Sequence, residues 1–182
     1  MNVEIRPESI ADAQAIRQIT EAAFKLNRYS TGAEGAIIDA LRKAGALTLS
    51  LVAVAGNETV GHVAFSPVTI EGEHMEWFGL GPVSVKPALH RQGIGSALIR
   101  EGLARLKQAG ANGCLLLGDP AYYRRFGFEN DTALRYEGLP AEYFMRLSFN
   151  GHVPTGRVAF HEGFNVSQGD AAGSADGVAD QI

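Results

Sequence analysis

The stretch Leu80-Gly81-Pro82-Val83-Ser84-Val85, followed shortly by Arg91-Gln92-Gly93-Ile94-Gly95-Ser96, reads as a strand that feeds a glycine-rich turn and then a helix. The first turn of a helix carries N–H groups without intrahelical partners and the positive end of the dipole, so it is a ready anion site. Glycines at 93 and 95 remove the Cβ atoms that would hold a phosphate off the backbone, and Arg91 can add a charge-assisted hydrogen bond. The plainer reading is a helix start whose glycines only turn the chain. The helix is expected from about Ser96 to Ala109, with Gly110 ending it. Its inward stripe is Gly95, Leu98, Ile99, Gly102, Leu103 and Leu106, and the missing side chain at Gly102 lets the helix approach a sheet closely.

Outward from this point the chain alternates strands and helices. Val3–Ile5 is a short strand, and Ser9 with Asp12 forms a capping box for a helix to about Phe24. A second box, Thr31 with Glu34, opens a shorter helix that Gly45 ends. Leu49–Ala55 and Thr59–Phe65 flank a turn at Gly56-Asn57-Glu58, and Glu76–Val85 returns as a further strand. Pro67 ends, bulges or marks an edge in the second of these; Pro82 requires an edge or a local distortion. Gly113–Gly118 is an apolar run suited to a strand covered on both faces, Pro120 starts a short helix ended by Gly127, and Tyr143–Phe149 and Arg157–Phe160 are strand-like. The order implies an α/β domain with a mixed sheet over residues 1–164. Residues 165–182 hold Gly, Ala, Ser and Asp with no basic or aromatic side chain, which predicts a disordered acidic tail.

A length of 182 residues with 46% hydrophobic and 20% charged side chains fits one globular domain. The single cysteine excludes an intramolecular disulfide and points to a reducing compartment. With no secretory signal at the N-terminus and no apolar run of the ~18 residues needed to cross a bilayer, a cytoplasmic protein without a membrane partner is expected. The net charge of −4 is unevenly spread: Lys86 to Arg125 carries seven basic against two acidic residues, +5, leaving −9 elsewhere. That local excess suits a small anionic ligand rather than nucleic acid. No P-loop pattern occurs, and Gly79-Leu80-Gly81 precedes a strand rather than a helix, so it is no dinucleotide fingerprint. The histidines show no metal-binding spacing, so no metal is expected, and Cys114 in its apolar run reads as core.

His90-Arg91-Gln92-Gly93-Ile94-Gly95 resembles the Gln/Arg-x-x-Gly-x-Gly/Ala signature of the GNAT superfamily of acyl-CoA N-acyltransferases. Tyr123-Arg124-Arg125-Phe126-Gly127-Phe128 is similar to that superfamily's second signature, and the C-terminal pieces resemble a bacterial subfamily of N-acetyltransferases. The resemblance implies a GNAT-like sheet, partly antiparallel and splayed at the strand that binds acetyl-CoA, with acetyl transfer to an amine by direct attack. It assigns backbone groups of Val83, Ser84 and Val85 to the pantetheine arm. It assigns the amides of Arg91, Gln92, Gly93, Ile94, Gly95 and Ser96 to the pyrophosphate. His90 stands where the family usually has Gln or Arg, which weakens one phosphate contact or makes it pH-dependent. Tyr123 becomes the acid that protonates the departing thiolate, with Tyr122 the alternative if the helix register slips by one. A homodimer is a further implication.

A base for the acceptor amine is less evident. Some family members carry a strand glutamate where Gly79 stands here; Glu76 falls on the opposite face by strand parity, His62 and His74 are candidates, and water is the expected agent. Two other classes stay open at this point: a catalytically silent CoA-binding sensor or interaction module, and a general nucleotide-binding protein.

Overall fold

The structure, a computed structural model, describes residues 2–27 and 30–166. Its spine is a sheet in the order β1-β2-β3-β4-β5-β7, formed by Val3–Pro7, Leu49–Ala55, Glu58–Ile70, Trp77–Val85, Gly113–Leu117 and Phe144–Ser148. Neighbours run antiparallel except β4 and β5, which are parallel. Strand β8, Gly156–Phe160, pairs with the far end of β3, and the two-residue β6, Leu134–Arg135, pairs with β8. Strand β6, too short to show a period, is not legible in the sequence. Among the described residues four α-helices accompany the sheet: α1 (Ala13–Phe24), α2 (Glu34–Lys43), α3 (Ile94–Gln108) and the single turn α4 (Pro120–Tyr123).

Two expectations at helix starts need correction. At the first, the Asp12 carboxylate accepts the Ser9 N–H at 2.7 Å as a capping box requires, but Ile10–Asp12 is a 3-10 turn and α1 begins only at Ala13. At the second, Thr31 is not the cap: its Oγ1 accepts from the Ala33 N–H, Ser30 Oγ donates to Glu34 at 2.7 Å, and the helix starts at Glu34. Asn165, expected in the tail, closes a 3-10 turn from Glu162, and Val166 packs on the cluster around Ile37, Leu41 and Phe164. The rest of that expected tail, 167–182, lies outside the described residues.

Neither proline ends its strand. β3 runs through Pro67 to Ile70. Pro82 lies in a central strand, where a missing N–H normally breaks the ladder. The ladder accommodates it with a bulge: Val63 pairs with Val83 but Phe65 with Leu80, so Gly81 and Pro82 face the single residue Ala64. Gly81 takes a φ of 133°, which a side chain would resist. Beyond the bulge the sheet divides. β5 pairs with β4 only at Trp77–Gly79, so the stretch from Leu80 to Val85 has lost its neighbour on that side.

Helix α3 packs across β3 through Leu98, Ile99, Gly102, Leu103 and Leu106. The approach is as close as Gly102 suggested, since a Cβ there would stand 2.3 Å from the Phe65 ring. The stripe begins with buried Ile94, not Gly95, because the helix starts two residues earlier than expected.

Candidate active site

The divided sheet opens into a cavity of about 960 Å³. Its walls are Leu80 to Val85 of β4, the turn from Leu89 to Gly93, the first turn of α3, the end of α1 and the tyrosines of α4.

At one end the chemistry is that of backbone. Gly93 caps α3 with a φ of 85°, and the first helical bond is Ala97 N–H to Gly93 O at 2.9 Å. The N–H groups of Ile94, Gly95 and Ser96 therefore precede the intrahelical ladder, and all three residues line the cavity. A Cβ at Gly93 would project into open space; one at Gly95 would come 3.6 Å from the Tyr122 hydroxyl and Val85. Arg91 is exposed on the rim with a φ of 62°, an uncommon conformation for a non-glycine residue. Gln92 is exposed and does not line the cavity. The His90 side chain reaches back rather than outward: its Nε2 lies 2.8 Å from the Val85 carbonyl, to which it donates. Val85 O is one of the groups the resemblance reserved for pantetheine.

The tyrosines divide their roles. Tyr123 is 8% exposed, its ring packed beside Gly118, where a Cβ would sit 2.3 Å from the ring, and edge-on to Tyr122 at 4.9 Å. Burial pushes the Tyr123 phenol above its ordinary value, with Tyr122, Asp119 and Cys114 adding in the same direction, so the group keeps its proton. Tyr122 is half-buried, with its hydroxyl 3.4 Å from Ser96 Oγ and the Arg125 guanidinium 4.5 Å from its ring centre. Both tyrosines line the cavity.

None of the base candidates lines the cavity directly. His74 and Glu76 are exposed and do not line the cavity, and His62 is fully buried under α1. A Cβ at Gly79 would meet the Phe160 ring at 2.8 Å, so β8 fills the place a glutamate would need. Cys114 is buried, and burial pushes its thiol up. Among the described residues no cluster of His, Cys, Asp or Glu is placed to hold a metal, and no helix is long and apolar enough to cross a membrane.

This geometry has close counterparts. The profile of the acetyltransferase (GNAT) domain matches residues 4–130. The chain belongs to the GNAT acetyltransferase family. It is 38% identical over 170 residues to the uncharacterized N-acetyltransferase YhbS of Escherichia coli, covering 88% of this chain and 98% of the relative. Among solved structures, a GNAT family acetyltransferase from Brucella melitensis in complex with acetyl-CoA is 53% identical, with a TM-score of 0.81 and coverage of 90% and 98%. The E. coli YhbS structure in complex with CoA is 35% identical, with a TM-score of 0.83 and coverage of 91% and 93%. As a GNAT member the chain is an acyltransferase.

Sequence reasoning missed part of this GNAT cavity. Arg125, which follows α4, and Phe24, Leu26 and Asn27, from the end of α1, line it without a role legible in the sequence. Leu26 is apolar and 72% exposed just past the end of α1, an exposure that only the structure reveals.

Proposed function

We propose that this chain transfers an acetyl group from acetyl-CoA to a primary amine by direct attack. The observation that carries the reading is one cavity that joins the free first-turn N–H groups of a long helix, an unpaired strand edge and a protonated, buried phenol. The pyrophosphate takes the amides of Ile94, Gly95 and Ser96, with Arg91 closing the rim. The pantetheine arm lies along Val83–Val85 as an added strand. The amine enters at the α1 end, attacks the thioester carbon and gives up a proton to water, and the C–S bond breaks as Tyr123 donates its proton to the sulfur. The deeper burial of Tyr123, against the half-buried Tyr122, keeps its phenol protonated and favours it as the donor. A cytoplasmic location fits the lone buried thiol.

A second reading, CoA binding without turnover, draws on Gly79 and Phe160, which leave no carboxylate beside the bulge. An amine panel incubated with acetyl-CoA separates the two by release of free thiol. Transfer to at least one amine is expected; tight CoA binding with no transfer to any amine favours the silent module.

A further inference from the structure

The sheet face beneath α1 carries a buried polar chain that the reaction as described does not use. It begins where Arg42 of α2 holds Glu8 through two bonds of 2.9 and 3.1 Å. Ser50 Oγ of β2 donates to Glu8 at 2.5 Å, and His62 Nε2 of β3 lies 2.8 Å from that same Ser50 oxygen. Burial would raise the Glu8 carboxyl, but hydrogen bonds from His62, Arg42 and Ser50 outweigh it and bring the group down to about 2. Glu8 is therefore an acceptor only, and the one proton of Ser50 is committed to it. His62 Nε2 must then be the donor to Ser50, which leaves Nδ1 with a bare lone pair. Nδ1 is buried and has no partner among the described residues.

On the neighbouring strand the pattern repeats. Thr20 Oγ1 of α1 donates to the Ile16 carbonyl at 2.8 Å. The 3.0 Å bond between Thr20 and Ser84 must then run from Ser84 to Thr20. The Ser84 oxygen keeps its lone pairs, and Ser84 is on the cavity wall. His62 and Ser84 are direct partners in the β3–β4 ladder, so their Cβ atoms are about 5 Å apart. Two acceptors at that separation on one sheet face call for a molecule that donates twice, as a water does.

We propose that His62 is the proton acceptor for the attacking amine, reached through a water held between His62 Nδ1 and Ser84 Oγ. This rests on the acetyl-transfer reading above. As the C–N bond forms, the amine nitrogen gives a proton to the water, whose own hydrogen passes to Nδ1. The C–S bond breaks, and the sulfur takes the Tyr123 proton. His62 later returns its proton through the same water to the cavity that Ser84 lines, and Tyr123 takes one back. The charged groups facing the ring are Glu8, 3.6 Å from Nε2, and Asp12 ahead of α1, which both favour the imidazolium, and Arg42 of α2, which disfavours it. Burial disfavours the imidazolium more than Glu8 favours it, so the proton passes through His62 without resting there.

Two measurements test this. The first needs no variant: 15N spectra of the wild-type protein should show His62 as the Nε2–H tautomer, and the Nδ1–H tautomer would overturn the proposal. The second uses His62→Ala and His62→Gln with an amine that the wild type acetylates, followed in single turnovers. Acetyl-CoA affinity should stay within about twofold while transfer falls about 100- to 1,000-fold, the range of a lost general base. Added imidazoles should rescue His62→Ala at rates that rise with their pKa, which filling a hole would not produce. Full transfer by either variant with an unchanged pH profile overturns the proposal and leaves acetyl transfer standing. A wild type that binds CoA and acetylates no amine fails the broader reading instead.

Discussion

The two ends of the cavity are built by different means. At the phosphate end, Gly93 to Ser96 form the site with their own backbone, and these four consecutive residues contain the chemistry. At the proposed acceptor end, the walls come from α1, the β4 bulge and α4, and Phe160 of β8 decides what can stand at Gly79. A site made of local backbone tolerates few substitutions but is written in one stretch of sequence. A site made of side chains from distant elements varies at each wall separately. The difference teaches where binding and chemistry separate: cofactor affinity should depend on glycines, and turnover on side chains that barely touch the cofactor's phosphates.

Tyr123→Phe should show the largest effect. The ring, its packing on Gly118 and acetyl-CoA affinity should be kept, while turnover falls 10²- to about 10⁴-fold where chemistry limits the rate. Tyr122→Phe, tested alongside, should lose little beyond its weak bond to Ser96. Exchange of the two behaviours would assign the acid to Tyr122.

Gly93→Val should do the opposite and abolish cofactor affinity, by about 100-fold or more, through both the φ of 85° and a branched side chain in the anion's path. Gly95→Ala separates those causes. Its Cβ meets only ordinary contacts at 3.6 Å, so the fold should be unaffected, and any loss of affinity reports the ligand alone. Calorimetric titration with CoA reads both; unchanged affinity in Gly95→Ala would move the pyrophosphate elsewhere.

What could be read from the sequence follows the same division. The phosphate turn, the α3 stripe and the closeness of Gly102 to the sheet are periodicity and glycine placement, which need no knowledge of neighbours. Pro82 announced a distortion but not its kind, because a bulge is a property of two strands and its partner Ala64 lies 18 positions earlier. The start of α2 was misplaced since Ser30, Thr31 and Gly32 all offer capping chemistry and tertiary contacts chose among them. Phe160 filling the space beside Gly79, and Ser50 orienting His62, depend on pairings no local pattern records.

Stability should depend on the polar layer and not on the cavity. Glu8 is held below its unfolded value, so its contribution is present above about pH 4.3 and is lost as pH falls toward 2. His62 is also lowered, chiefly by burial, so the folded state binds its proton less readily and stability begins to decline as pH falls below about 6.5. Glu8→Gln should cost about 2 kcal/mol near neutral pH, because Arg42 and Ser50 lose an ionised partner, and should flatten the acid limb below pH 4.3. Urea unfolding against pH checks both, and an acid limb identical to the wild type would show that Glu8 is not the group responsible.

The smallest effect is expected at His90, and its sign decides a point on which the resemblance and the geometry disagree. The signature places this residue at a phosphate, whereas the structure has its Nε2 donating to Val85 O at 2.8 Å, across the stretch where pantetheine should pair. If pantetheine uses that carbonyl, binding must first break the His90 bond, and a hydrogen bond of this kind contributes about 1 kcal/mol net. His90→Ala should then leave the carbonyl open and strengthen CoA binding by up to about fivefold. The variant should leave the fold intact, as His90 is exposed and follows a short 3-10 turn outside the sheet. A loss of affinity beyond about tenfold would mean that the ring swings out to the phosphates when the cofactor arrives, and the contact seen here would then be a resting position that CoA displaces. Dephospho-CoA, run in parallel, locates that contact: a loss confined to CoA puts His90 at the 3′-phosphate, and an equal loss with both puts it at the pyrophosphate beside Gly93.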